Sequence, residues 1–217
     1  MRVHGGVPDR PEHRWPSLIS ITAAFLLYLF LPNDYALIPR WILPSIALLM
    51  VIPQLVLNPR HFNRETRLSR IIAIALATML LLGNQLAVGE TIVALVGGHL
   101  DPVRGLLATL QVWLTDVVAF GVVYWELDRG GPVARRLPRD PDDVQDFRFP
   151  QEDGGPTNWR PGFVDYAYFS LSTMMAFSPT DVMPFTARAK GLMALQSLTG
   201  FVLLALVIAR AVNILGS

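Results

Sequence analysis

The chain has 217 residues, 52% hydrophobic and 16% charged, with a formal net charge of +1 and a mean hydropathy of +0.41. It contains no cysteine, which excludes a disulfide framework, a thiolate metal site and a cysteine nucleophile. No basic patch with interleaved aromatics offers a footing for nucleic acid, and the charges cluster in short stretches that leave long apolar runs between them.

A hydrocarbon core takes about 20 mostly apolar helical residues to cross, and several runs meet or approach that. A polar, arginine-bearing segment (1–14) leads into "WPSLISITAAFLLYLFLP", the first predicted span. A charged region before an apolar stretch also fits a secretory signal. The residues that follow, "NDYALIPR", offer no small-residue cleavage site, so an uncleaved span is expected. Trp15 and Trp41 fall at span edges, where indole rings prefer the interface. The second span, "WILPSIALLMVIPQLVL", carries Pro44 and Pro53 inside it, and a membrane tolerates the resulting kinks when neighbours re-satisfy the backbone.

Four arginines (Arg60, Arg64, Arg67 and Arg70) then precede the third span, which starts at Ile71. Its apolar run is longer than a bilayer needs. The predicted helix ends near Leu86, loosened by Gly83, Asn84 and Gln85, with Asn84, Gln85 and Glu90 capping backbone. These first three spans make up residues 15–100. After "HLDPVRG" the fourth span, "LLATLQVWLTDVVAFGVVYWEL", holds Asp116 near its middle.

Residues 128–162 are rich in proline, glycine and charges of both signs, without apolar periodicity, and read as a solvated loop. Loops of that length are usually functional or disordered. The next apolar run lasts only from Phe163 to Phe177 before Ser178, Pro179, Thr180 and Asp181 close it. That is too short to cross a bilayer. Two readings fit: a re-entrant helix over 163–178 beside a wet cavity, or an interfacial helix lying on the surface. The fifth span, 188–215, follows; its small residues Ser197, Gly200, Ala205 and Ala209 suit close helix packing. There is no internal repeat and no separate soluble domain.

The stretch "FVDYAYFSLSTMMAFSPTDVMPFT" resembles the pore region of potassium channels. Phe163, Asp165, Ala167, Tyr168, Phe169 and Ser170 match the pore-helix half, and Thr173, Asp181 and Pro184 keep the spacing around the filter. The final span resembles the inner helix, with Gly200 where such helices often carry a hinge, and the fourth span sits where the outer helix would be. The resemblance covers residues 106–213, about half the chain, and implies a channel-like module over 101–217. With its "FRFPQ", "SPTD" and "ARAVN" stretches, the sequence is also similar to a family of small bacterial integral membrane proteins of unknown function.

The filter-equivalent segment departs from the channel pattern. Where T-V-G-Y-G would stand, the chain reads Ala176, Phe177, Ser178, Pro179, Thr180. Successive inward-pointing carbonyls need glycine, and Pro179 fixes its own φ while restricting Ser178. A potassium-type carbonyl ladder is therefore not expected. Either "SPTD" is a turn capping the short helix, or Thr180 and Asp181 form a polar ring at a pore mouth.

A charge at mid-bilayer costs at least ~2.5 kcal/mol, so Asp116 is expected to face protein or water, as a structural hydrogen-bonding group or as an ion contact. Arg210 is a candidate partner, or snorkels to the headgroups. Arginine-rich segments stay inside, which puts the 128–162 loop in the cytoplasm, whereas a potassium-channel pore loop enters from outside: either the hairpin is inverted relative to those channels or the charge rule misleads here.

The expected fold is an all-α polytopic membrane protein with five transmembrane helices and one re-entrant pore-type helix, in the bacterial plasma membrane. The expected function is a weakly selective channel for monovalent cations, assembled as a homo-oligomer such as a tetramer. Its rival is a non-conducting scaffold, partner subunit or small-solute transporter. The four histidines show no ligand spacing, and no phosphate loop or catalytic motif is present. No enzyme, cofactor, metal or nucleic-acid partner is expected, and the partners are the bilayer and other copies of the chain.

Overall fold

The computed structural model describes residues 67–98, 102–136, 144–154, 159–175 and 182–215, together with the helical positions Thr22, Leu26 and Ser45. Apart from those three positions, the first two predicted spans lie outside the described residues, as does the filter-equivalent segment 176–181. The four longest helices among the described residues are α1 (Arg67–Val96), α2 (Pro102–Leu127), α3 (Phe163–Met175) and α4 (Ala187–Leu215). Among the described residues three of them, α1, α2 and α4, are long and apolar enough to cross a membrane. The chain is a largely helical membrane protein.

α1 differs from its predicted form. It runs unbroken for 30 residues, straight through Gly83, Asn84 and Gln85. Glycine and asparagine each weaken a helix by less than about 1 kcal/mol. Here Asn84 is buried and bonds across to α2 rather than back to its own backbone, so packing outweighs propensity.

α2 is the central element. α1 lies antiparallel along one side, while α3 is wedged between α2 and α4. Glycines set those two approaches. A Cβ at Gly121 of α2 would sit 3.3 Å from the Cα of Ala167 on α3. One at Gly200 of α4 would overlap the carbonyl oxygen of Met174 at the tip of α3, and would stand only 3.1 Å from the Met174 sulfur. α4 is continuous through Gly200. In this structure the glycine serves contact between helices.

α2 ends in a sharp reversal. Asp128–Gly130 form a 3-10 turn in which Arg129 has φ 50°, followed by Gly130 at 77° and Gly131 at 98°. Left-handed backbone is ordinary for the glycines and unusual for Arg129. Its guanidinium is held by Glu152 and by the Phe147 carbonyl.

The described parts of 128–162 are not a simple solvated loop. β1 (Phe147–Arg148) pairs antiparallel with β2 (Met183–Pro184), with Phe147 opposite Pro184. Phe147 and Phe149 are buried beneath it. Strand alternation is the cause: in "FRF" the two rings point inward and Arg148 outward. Phe147 stacks edge-on against Tyr124 and Phe169 with ring centroids 4.9 and 5.1 Å away, and Phe149 meets Tyr166 at 5.1 Å. The segment is a lid that caps α2, α3 and α4 with aromatic surface.

Candidate functional site: buried polar groups along the α2–α3–α4 hairpin

The lid end is the most heavily bonded. Asp128 is fully buried and accepts from the amides of Asp146 (2.9 Å) and Phe147 (3.2 Å) and from the Tyr166 hydroxyl. Asp146 in turn accepts from the Thr186 hydroxyl and from Arg188, at 2.7 Å through Nε and 2.5 Å through Nη2. Arg135 donates to the carbonyls of Trp125 (2.6 Å) and Asp128 (2.9 Å) and lies 4.9 Å above the Tyr166 ring. The amide of Phe185 donates to the Asp146 carbonyl at 2.8 Å. Together these bonds tie the end of α2, the start of α3 and the start of α4 into one place. The chain therefore enters α3 from the lid and is back at the lid by Val182.

One layer deeper, a second set of bonds joins the same three helices. Tyr124 donates to Gln196 Oε1 at 2.8 Å. Gln196 Nε2 donates to Ser170 Oγ at 2.6 Å and to the Ser170 carbonyl at 3.1 Å, and Ser170 Oγ donates to the Val117 carbonyl at 2.7 Å. Every group in this chain has a partner. Gln196 and Tyr124 escaped the sequence reading, although a lone glutamine in the apolar run "GLMALQSL" is itself a signal, because an unbonded amide in hydrocarbon is costly.

Deeper still lies Asp116, with no solvent exposure. Asn84 Nδ2 donates to its Oδ1 at 2.5 Å and Gln85 Nε2 donates to the same oxygen at 2.9 Å. Thr199 of α4 donates to Gln85 Oε1 at 3.4 Å. The partners of Asp116 are thus the two amides predicted to cap α1, and Arg210, half-buried further along α4, is not one of them. Among the described residues, two atoms of this cluster have no hydrogen-bond partner: Asp116 Oδ2 and Asn84 Oδ1.

At 1.5 Å per residue, Asp116 lies about 16 Å below the end of α2, Thr199 about 18 Å below the start of α4, and Met174 about 16 Å below the start of α3. The tip of α3 and the Asp116 cluster share one depth, halfway through a bilayer-sized helix. Thr173 is buried there, but its hydroxyl is used by its own helix, donating to the Phe169 carbonyl at 2.9 Å. Ala176, Phe177, Ser178, Pro179, Thr180 and Asp181 lie outside the described residues.

Chemically, a buried carboxylate among neutral amides can take a proton or a small cation. Among the described residues no group of three or more histidines, cysteines and acids could hold a metal. No known protein family, curated protein or solved structure matches this chain.

Proposed function

We propose that the α2–α3–α4 hairpin is a channel-like pore module, carried by a five-span protein of the bacterial plasma membrane that assembles as a homo-oligomer and passes monovalent cations with weak selectivity. The observation that carries this reading is α3. It starts at the lid, is held from both flanks by glycine contacts, ends at mid-depth, and its chain resumes at the lid. That is the course of a re-entrant helix, whose C-terminal carbonyls present the negative end of the helix dipole to the membrane centre and favour cations there. Val164, Tyr168, Leu171 and Met175 form an exposed stripe on α3 at spacings of four, three and four, and Leu198 and Phe201 are exposed on α4. Neighbouring copies around an axis would cover such a surface.

Arg70, Arg129, Arg135, Arg148 and Arg188 all belong to the lid end of the helices. Retention of arginine on the inside then places the lid in the cytoplasm, with α3 entering from there.

One observation favours the rival, a non-conducting scaffold, partner subunit or small-solute transporter. Met174 at the tip of α3 is 1% exposed and sits in an apolar cluster with Ala87, Val88, Val112 and Leu203. Within one copy, the Met174 side of the tip is packed by apolar side chains. Flux into liposomes from purified protein separates the two readings. The pore module predicts a cation leak that distinguishes potassium from sodium poorly and falls when Asp181→Asn removes the charge at the pore mouth. A monomer with no flux of either ion would overturn it, and an impermeant thiol reagent that rapidly labels Gln151→Cys in intact cells would reverse the orientation.

A further inference from the structure

We infer that Asp116 is a proton-binding site in the middle of the membrane, occupied at neutral pH and built as an acid–amide pair with Asn84. A carboxylic acid and a carboxamide join head to head through two hydrogen bonds, amide N–H to acid C=O and acid O–H to amide C=O. The first is present, from Asn84 Nδ2 to Asp116 Oδ1 at 2.5 Å. The two oxygens left without partners, Asp116 Oδ2 and Asn84 Oδ1, are the two that the second bond would join. A single proton on Oδ2 satisfies both. Without it, two buried acceptors belonging to residues 0% and 1% exposed have no donor, a condition that native proteins rarely sustain.

Among the described residues, no positively charged side chain bonds to this cluster. From α1 the cluster receives Asn84 and Gln85, and from α4 Thr199, which acts through Gln85; all are neutral. α3 contributes Ser170 one residue along, bonded to the Val117 carbonyl. Tyr124, two turns along α2, has already donated its hydroxyl proton to Gln196. The nearest charged side chains along the packed helices, Glu90 of α1, Asp165 of α3 and Lys190 of α4, lie about 9 Å from Asn84, about 8 Å from Ser170 and about 14 Å from Thr199 by helix rise. Among the described residues Asp116 has no ion partner, and isolated buried charges neutralise by taking up a proton.

A sodium ion could in principle answer the same two oxygens. The number of unmet atoms favours the proton, because a hydrogen bond needs only one oxygen to carry it and one to accept it, whereas an alkali cation recruits several oxygen ligands. Here the third carbonyl oxygen of the cluster, Gln85 Oε1, already accepts from Thr199. The site stands on its own bonding and does not depend on whether the hairpin conducts.

Infrared spectroscopy of the full chain in an ester-free detergent at neutral pH tests this directly. The wild type should show a carboxylic-acid C=O band that is missing in Asp116→Asn. In Asn84→Leu the band should move to higher frequency, because the acid carbonyl loses an N–H donor. No band lost in Asp116→Asn would mean that Asp116 is ionised and would overturn the proposal. So would a band that vanishes at fixed pH when choline is replaced by sodium, which would assign the site to a metal cation. Should Asn84→Leu fail to fold, the comparison of wild type with Asp116→Asn decides alone.

Discussion

Asp116 and Asp128 are two carboxylates of one helical stretch, twelve residues apart and both without solvent exposure, yet they are treated in opposite ways. Asp128 has a donor for each oxygen: two backbone amides on Oδ1 and a tyrosine hydroxyl on Oδ2, with Arg129 3.6 Å away. Among the described residues, Asp116 has two side-chain amides crowded on one oxygen and no donor on the other. Burial alone therefore does not say what a carboxylate is for. The count and placement of donors do: a saturated group fixes a chain reversal, whereas an unsaturated one is the candidate for taking up a proton.

The largest expected effect breaks the saturated site. Asp128→Ala leaves the Tyr166 hydroxyl and two backbone amides without their acceptor and takes a neighbouring negative charge from Arg129, and should cost about 3–5 kcal/mol. Thermal unfolding in detergent, followed by tryptophan fluorescence, measures it. A melting curve like that of the wild type would mean that the lid contributes nothing to stability and would erase the contrast.

A smaller effect tests the frame that holds the two sites in register. Gly200→Ala forces a methyl into the Met174 carbonyl and should cost about 1–3 kcal/mol as overpacking. Gly191→Ala on the same helix meets nothing within 4 Å and should be neutral or stabilising by up to about 1 kcal/mol. Equal outcomes for the two variants would show that α3 does not need its close seat on α4.

The smallest effect belongs to the unsaturated site. In Asp116→Asn the new amide can donate to Asn84 Oδ1 while its carbonyl still accepts from Asn84 and Gln85, so stability should change by less than about 1 kcal/mol. A loss as large as that of Asp128→Ala would mean that the negative charge itself holds the bundle together.

Hydropathy marked out α1, α2 and α4, and the start of the short helix at Phe163 is where the sequence placed it. These features were legible because they depend on local composition and on length relative to a bilayer. Partnerships were not. Asn84 and Gln85 look like residues that loosen a helix until α2 is placed across them, and Gly200 looks like a hinge until the Met174 carbonyl occupies its missing side chain. Phe147 and Phe149 were read as part of a polar loop, since three residues of alternation are too few to register as a strand. The five-span count and the filter-equivalent residues concern parts of the chain that the described structure does not reach.

Gly121 and Gly200 also bear on how this molecule can move. They notch α3 at Ala167 and Met174, positions about 10 Å apart along its axis. A rod seated in two notches can neither slide nor roll without leaving both at once. Conformational switching is then expected to carry α2, α3 and α4 as a single rigid block, shearing against whatever flanks them. The seam between α1 and that block is crossed by the bonds of Asn84 and Gln85 to Asp116, so adding or removing one proton there would alter the grip between the moving part and its support.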